Sequence, residues 1–458
     1  MSDATTRSSR RRLHVGIVSR ALPGEIGGIA QATMGLVHAL GKLEDGDEQY
    51  SIIVRAPEQA EWLAPHCGPN QRVVVHRHLG DRAGAYRASD DRSVLARMRR
   101  TLMTPVVPAL RYVQKALSVE RHWPEIPISD GFVEALGCDI VHFSSQWFML
   151  CNIPSVYTPH DIQHLLYPQY FTQSELLSRE VIFPAGCRFS HTVVAGTQWV
   201  KDDIVRRYRI DDQKIRIIPW AASTQFYERP SPAELPEVLK RYTLETPFAI
   251  FPANTWPHKN HLRLLEALAR VRDTRGLTIR LVCTGAKLAS HWPRVEACLR
   301  ELSLESQVTF LGFVPEKDLR ALYRLAQFLV MPTLYEADSN PIHEAWFEDL
   351  PVASSNVTAL PDQVKDAGVL FDPRNIDSIA NALVRLATDE ALRDDLRQRG
   401  RRRYADFDWA RTAKAYRAVY RQAGDVPLTA EDEWLLQWDW LRDPQRRPAA
   451  APLETVSS

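Results

Sequence analysis

"QFLVMPTLYEADSNPIHEAWFEDLPVASS", residues 327–355, contains one complete repeat of the architecture. "QFLVMPT" is an apolar run of strand length, and "LPVASS" at 350–355 is another. Between them Pro341 stands where a helix begins, with Asn340 before it as a good N-cap. Strands that are apolar on successive residues, joined through a helix, read as neighbours in a parallel sheet covered on both faces. Glu336 then falls on the loop at the carboxyl end of the first strand. Glu344 is expected in the first turn of the helix, with seven residues separating the two glutamates.

The same rhythm runs outward in both directions. "LHVGIVS" (13–19), "YSIIVRA", "RVVVHRH", "CDIVHFS" (138–144), "SVYTPHD" (155–161), "HTVVAGT" (191–197) and "KIRIIPWA" (214–221) read as strands of a first half. A helix over 27–43 follows the first of them. "FAIFPAN", "LTIRLVCTG", "QVTFLGF", "QFLVMPT", "LPVASS" and "GVLFDP" make a second series. Helices are expected between these strands near 261–272, 290–302, 316–325 and 341–349, and after them near 376–387 and 389–404. The Pro-rich, charged stretch 227–247 suits an interdomain linker. Alternating strand and helix patterns of this kind specify α/β architecture, here two Rossmann-like doubly wound domains in tandem.

The chain has 458 residues, which suits two or three domains at roughly 100–200 residues each. Its 57 basic residues against 56 acidic ones leave no overall footprint for nucleic acid. The six cysteines are scattered without metal-type spacing and read as buried free thiols in a reducing cytosol. No apolar run approaches the ~18 residues of a membrane span. Residues 1–12 and 446–458 read as disordered tails. Residues 91–117 depart from the βα rhythm, with apolar residues at helical spacing and arginines interleaved. They read as a basic helical insertion packed on the first domain, the alternative being contact with an anionic membrane surface.

Four stretches carry candidate chemistry, and each follows an expected strand at its carboxyl end, where open α/β sheets bind ligands. In "YEADSNPIHEAW" the helix start offers unpaired N–H groups to a phosphate, and the two carboxylates can take sugar or ribose hydroxyls. The structural alternative is a helix-dipole role for Glu344 and a solvated Glu336. In "FAIFPANTWPHKNHLRLLEALARV" (248–271), Lys259 sits where a helix opens near Asn260 or His261. A cation there opposes the dipole unless an anion, such as a diphosphate, lies nearby. In "PGEIGGIAQATMGL" (23–36), Gly27 and Gly28 permit a close backbone approach, or form a simple tight turn. The pair is not a GxGxxG fingerprint, which counts against a nicotinamide enzyme. In "YTPHDIQHLLYPQYF" (157–171), His160 can donate to a hydroxyl or work as an acid or base near neutral pH, or cap the next segment.

Taken together, these runs resemble the retaining glycosyltransferases of family four, whose fold is GT-B. The strongest match is "HKN" before a helix, then "LGFVPEKDLRALYRLAQFLVMPTLYEADSNPIHEAW" and "LPVASSNVTALPDQVKDAGVLFDP". The E-x7-E motif falls on Glu336 and Glu344. "GGI", "HD" and "VVAGTQWVKDDIVRRYRIDDQKIRIIPWA" match in the first half, and the resemblance covers nearly all of 13–415. It implies two facing domains, at 13–228 on the acceptor side and 246–415 on the donor side. A helical segment over 416–445 is expected either to cross back to the first domain or to pack on its own.

The resemblance also implies roles. Glu336 would contact donor-sugar hydroxyls, Glu344 the ribose, Lys259 the diphosphate, and His160 the sugar near the reacting centre. Gly27 and Gly28 would let donor phosphate and acceptor approach. Asn260, Asp338, Ser339, Asn340 and Pro341 would complete the donor side. Asn254 stands where the family often has an arginine, and Ala337 and Ser339 replace its usual glycines. The implied co-substrate is a nucleotide-diphosphate sugar, with no cofactor and no divalent metal. "DGD" (45–47), before a strand, and "DFD" (406–408), expected in a helical tail, are not placed like a metal-binding DxD. The implied acceptor is a hydroxyl of a glycan or lipid-linked glycan. The expected location is the cytoplasm, or the inner face of its membrane. Two rival readings share the diphosphate site: a nucleotide-sugar epimerase, and a non-catalytic nucleotide-sugar-binding subunit of a glycan-synthesis complex.

Overall fold

The computed structural model describes residues 12–20, 27–78 and 125–440. The 91–117 insertion and the tails at 1–12 and 446–458, Arg12 apart, lie outside the described residues. Two parallel sheets organise the remainder. The first contains β1 (His14–Val18), β2 (Gln49–Val54), β3 (Gln71–Val75), β4 (Ile140–Phe143), β5 (Ser155–Tyr157), β6 (Thr192–Ala195) and β7 (Ile215–Ile217). Its order is β3-β2-β1-β4-β5-β6-β7. The second contains β8 (Phe248–Pro252), β9 (Arg280–Thr284), β10 (Val308–Gly312), β11 (Phe328–Met331), β12 (Val352–Ser355) and β13 (Val369–Phe371), in the order β10-β9-β8-β11-β12-β13.

Each sheet grows outward in both directions from its first strand, so each has a switch point: between β1 and β4 in one, between β8 and β11 in the other. Ile17 lies opposite Ile52, and Leu329 opposite Val352. These strands are buried on consecutive residues, as helices on both faces require. The quoted stretch forms the β11–helix–β12 unit at the middle of its sheet.

Three expectations on organisation change. The 227–247 stretch is not simply a linker, because it contains helix Leu235–Arg241. Val238 of that helix joins the second domain's core, and Arg241 and Tyr242 both bind Asp318 at 2.6–2.7 Å. The boundary at 415 falls inside helix Trp409–Ala423, which packs as a whole in the first domain's core. Crossing back therefore begins at Trp409. "DFD" is not inside a helix: Asp408 is the N-cap of that crossing helix and accepts from Ala410 N–H at 2.9 Å.

The crossing helix is fastened closely. Trp409 lies so near Gly35 that a Cβ there would come within 2.1 Å of the indole, a position only glycine can fill without moving the ring. Thr412 donates to the Pro219 carbonyl at 2.7 Å, and Trp409 to that of Ala222 at 3.2 Å. Arg417 binds Asp45 at 2.5 Å, and Arg421 bridges Glu48 and Asp432 at 2.6 and 2.8 Å. "DGD" thus supplies an anchor for the crossing helix. Cys138, Cys187 and Cys283 are buried, and the other three cysteines partly so. Among the described residues no helix is long and apolar enough to cross a membrane.

Candidate active site

The two switch points face one cleft, a cavity of about 490 Å³ lined from both domains. On the second domain its floor begins in the loop after β8. Pro257–Lys259 makes a single tight turn, and Asn260 then takes a left-handed conformation (φ 64°) that admits the chain to helix His261–Arg275. The Asn260 amide donates to the carbonyls of Pro332 and Pro373, each at 2.9 Å, tying this turn to the loops after β11 and β13. Asn260 is buried and is not among the cavity-lining residues. The expected donor contact is therefore replaced by a tether that positions Lys259. Asn254 does line the cavity, but its Oδ1 accepts the Ala286 N–H at 2.7 Å, holding the loop after β9.

Lys259 Nζ donates to Glu336 Oε1 at 2.6 Å. The two residues, taken from separate motifs, form one charged pair at the switch point. Burial raises the Glu336 carboxyl above the ordinary carboxylate range, with Lys259 opposing the rise. The pair holds one of the three ammonium donors, leaving two for an anion in the cleft.

The helix after β11 is Asn340–Phe347, with Ser339 rather than Asn340 at the N-cap. Glu344 is its fifth residue and so lies beyond the first turn of 3.6 residues. The dipole reading for it lapses. Its carboxylate is buried, accepts the Tyr323 hydroxyl at 2.6 Å and lines the cavity. Burial, opposed by the Tyr323 hydrogen bond, moves it up to about 7.

Ser339 does not line the cavity. Its backbone is bracketed by the Gln363 side chain, whose Oε1 accepts its N–H at 3.0 Å and whose Nε2 donates to its carbonyl at 2.9 Å. Asp338, Asn340 and Pro341 do line it. Asp338 Oδ1 lies 3.0 Å from His343 Nε2, which accounts for a third acid so close to Glu336.

From the first domain come the start of helix Gly27–Gly41 and the loop after β5. Gly28 lines the cavity, and its carbonyl faces Asn340 Nδ2 at 3.5 Å across the cleft; Gly27 is the first residue of the helix. His160 has left-handed backbone (φ 63°), is buried, and packs beside Trp220 with the ring planes tilted. Its Nε2 lies 2.9 Å from the Ser144 carbonyl. A carbonyl only accepts, so Nε2 carries the proton and Nδ1 is the acceptor. Burial also lowers its pKa. Of the roles expected for it, donor to a hydroxyl, acid or base near pH 7, or cap, the geometry leaves into the cleft a neutral imidazole able to accept from a hydroxyl.

Some residues at the site, lining the cavity or holding a lining side chain, carried no signal in the sequence reading. Tyr323 is one tyrosine in an amphipathic helix until Glu344 is seen against it. Tyr227 bonds Gln31, and both line the cavity. Phe313, 70% exposed, lines it beside Val314. Exposed aromatic residues at a strand end are the available cue for such a wall.

Comparison with known proteins fits this cleft. The family described as "Glycosyl transferases group 1" matches residues 246–389, and "Glycosyltransferase Family 4" matches residues 94–226, so each half has its own match. The chain belongs to glycosyltransferase family four. The transferase is 29% identical over 273 residues to O-antigen chain mannosyltransferase B of Escherichia coli, covering 58% of this chain and 70% of that one. It is 26% identical over 223 residues to the serotype-specific mannosyltransferase WbdA of E. coli, of which it spans only 27%. Its fold is that of the crystal structure of Anabaena Alr3699/HepE in complex with UDP and glucose: TM-score 0.63, 16% identity, 90% of this chain and 100% of the other. The transferase therefore has the GT-B fold, with the cleft between its two sheets.

Proposed function

We propose that this transferase moves a hexose, with mannose as the first candidate, from a nucleotide-diphosphate sugar to a hydroxyl of a glycan or lipid-linked glycan, with retention of configuration. The Lys259–Glu336 pair at the switch point carries this reading, because it sets a cation and a hydroxyl-binding carboxylate side by side in the cleft. Mannose as first candidate is supported by the two E. coli mannosyltransferases, and polysaccharide biosynthesis by the O-antigen relative.

In the mechanism, Lys259 and backbone N–H groups hold the donor diphosphate, and Glu344 takes the ribose hydroxyls. Glu336 takes hydroxyls of the donor sugar. The bond from the anomeric carbon to phosphate breaks, and the nucleoside diphosphate leaves with the electron pair. The acceptor oxygen bonds to the anomeric carbon on the same face, and its proton passes to a departing phosphate oxygen. Lys259 stabilises the charge that develops on the leaving group. His160 accepts a hydrogen bond from a hydroxyl close to the reacting carbon. Charge neutralisation by Lys259 and the backbone makes a divalent metal unnecessary. The enzyme works in the cytoplasm or on the inner face of its membrane.

The test is a thermal-shift screen of nucleoside diphosphates and nucleotide sugars, followed by transfer assays with the donor that stabilises most. A ligand of this cleft raises the melting temperature by mass action. Stabilisation by none of them overturns the reading.

A further inference from the structure

The first-domain side of the cleft contains a cation, Arg179, that makes no ion pair within 4 Å among the described residues, although Glu175 feels its charge at longer range. Arg179 lies on helix Gln173–Phe189 and lines the cavity with Gln146 and His160. Glu175 stands four residues earlier on the same helix, the ideal spacing and order for an ion pair. That pair is not made. Glu175 Oε2 instead takes the Thr172 N–H and hydroxyl, both at 2.7 Å, closing the helix's capping box. The adjacent acid, Glu180, lies 4.0 Å from His164.

The Arg179 guanidinium lies over aromatic residues instead of hydrogen-bonding either acid. Its guanidinium carbon sits 4.6 Å from the centre of the Phe171 ring and 5.1 Å from that of Phe183. Nη2 donates to the neutral Gln146 Oε1 at 3.2 Å, while Nη1 is buried with no partner. A buried donor without an acceptor is destabilising, and a ligand oxygen would satisfy it.

We infer that Arg179 binds an anionic group on the acceptor, a phosphate or a carboxylate, so that the preferred acceptor is a charged saccharide and not a neutral one. This deepens the functional reading above and rests on it. The planar fork of arginine matches two oxygens of either anion. Arg179 lines the cavity from the first domain and Lys259 from the second.

The protein is held saturated with nucleoside diphosphate and titrated calorimetrically with a hexose 6-phosphate, a hexuronate and the methyl hexoside. Binding of at least one anionic sugar about tenfold or more tighter than the neutral one is expected, as a charge-assisted fork contact gives. The tighter of the two identifies the anion. Arg179→Gln is expected to abolish that gap, and Arg179→Lys to keep part of it. Equal affinity for all three sugars, or binding of none, overturns the inference. If Arg179→Gln melts far below wild type, salt dependence decides on the wild-type protein: the gap should narrow as salt rises, and a salt-independent gap overturns the inference. Failure of nucleoside diphosphate itself to bind would count against the functional reading instead.

Discussion

The two sides of the cleft hold their polar groups in opposite ways. On the second-domain side, the acids are held by partners within the protein: Glu336 by the charged Lys259, Asp338 by His343, and Glu344 by the Tyr323 hydroxyl. On the first-domain side, His160 and Arg179 bind neutral partners, the Ser144 carbonyl and the Gln146 amide. Paired charges give a preorganised surface that resists local variation. Unpaired ones leave the choice of partner to the ligand. Under the proposed function, the second-domain half is thus built for one chemistry and the first-domain half for selection.

The largest effect should come from breaking the donor pair. Lys259→Ala is expected to lower turnover roughly 10²–10³-fold, the usual loss for one transition-state charge partner. Steady-state kinetics on the purified variant, with circular dichroism to verify folding, checks this. A loss of less than tenfold would make the two sides equivalent.

Next is Glu344. Its pKa of about 7 lies above that of an exposed glutamate, so its contribution to stability is present at low pH and is lost as pH rises from about 4.5 through 7. Glu344→Gln removes that loss, and the variant should gain on wild type above pH 7, with a ceiling of about 3 kcal/mol. Nucleotide affinity should move the opposite way, since the ionised carboxylate is the better acceptor of ribose hydroxyls. Wild-type affinity therefore rises through pH 7, and the part of the rise due to Glu344 disappears in Glu344→Gln. Calorimetry at pH 6 and 8 on both proteins reads it.

Packing between the halves comes third. Gly35→Ala drives a methyl into Trp409 of the crossing helix and should cost about 1–3 kcal/mol, read by denaturant unfolding. The smallest effect is at Asn254. Asn254→Ala frees the Ala286 N–H and should cost about 1 kcal/mol of nucleotide affinity or stability.

The same contrast governs what the sequence disclosed. Both sheets were legible, because Val and Ile runs such as "HVGIV" and "FLVM" carry burial on both faces in every residue. Glu336 and Lys259 were legible because each sits at a strand-to-helix junction with its own motif. Their pairing was not, since it depends on β8 and β11 being neighbours, a fact of topology. The place of Glu344 beyond the first turn depended on one residue of helix phase, which Ser339 decides as N-cap. The first-domain location of helix Trp409–Ala423 depended on partners hundreds of residues away, such as Asp45 and Glu48. Arg179 gave no signal at all: beside Glu175 it looks like an ordinary surface pair, and only the capping box reveals that the pair is unmade.

The most direct measurement is the rate at which wild-type protein and Glu336→Ala convert a nucleotide sugar and acceptor into glycoside and nucleoside diphosphate. Glu336→Ala is expected to keep its fold and lose most of the turnover. Unchanged turnover in a folded Glu336→Ala protein would contradict the assignment of the Lys259–Glu336 pair as the reacting centre.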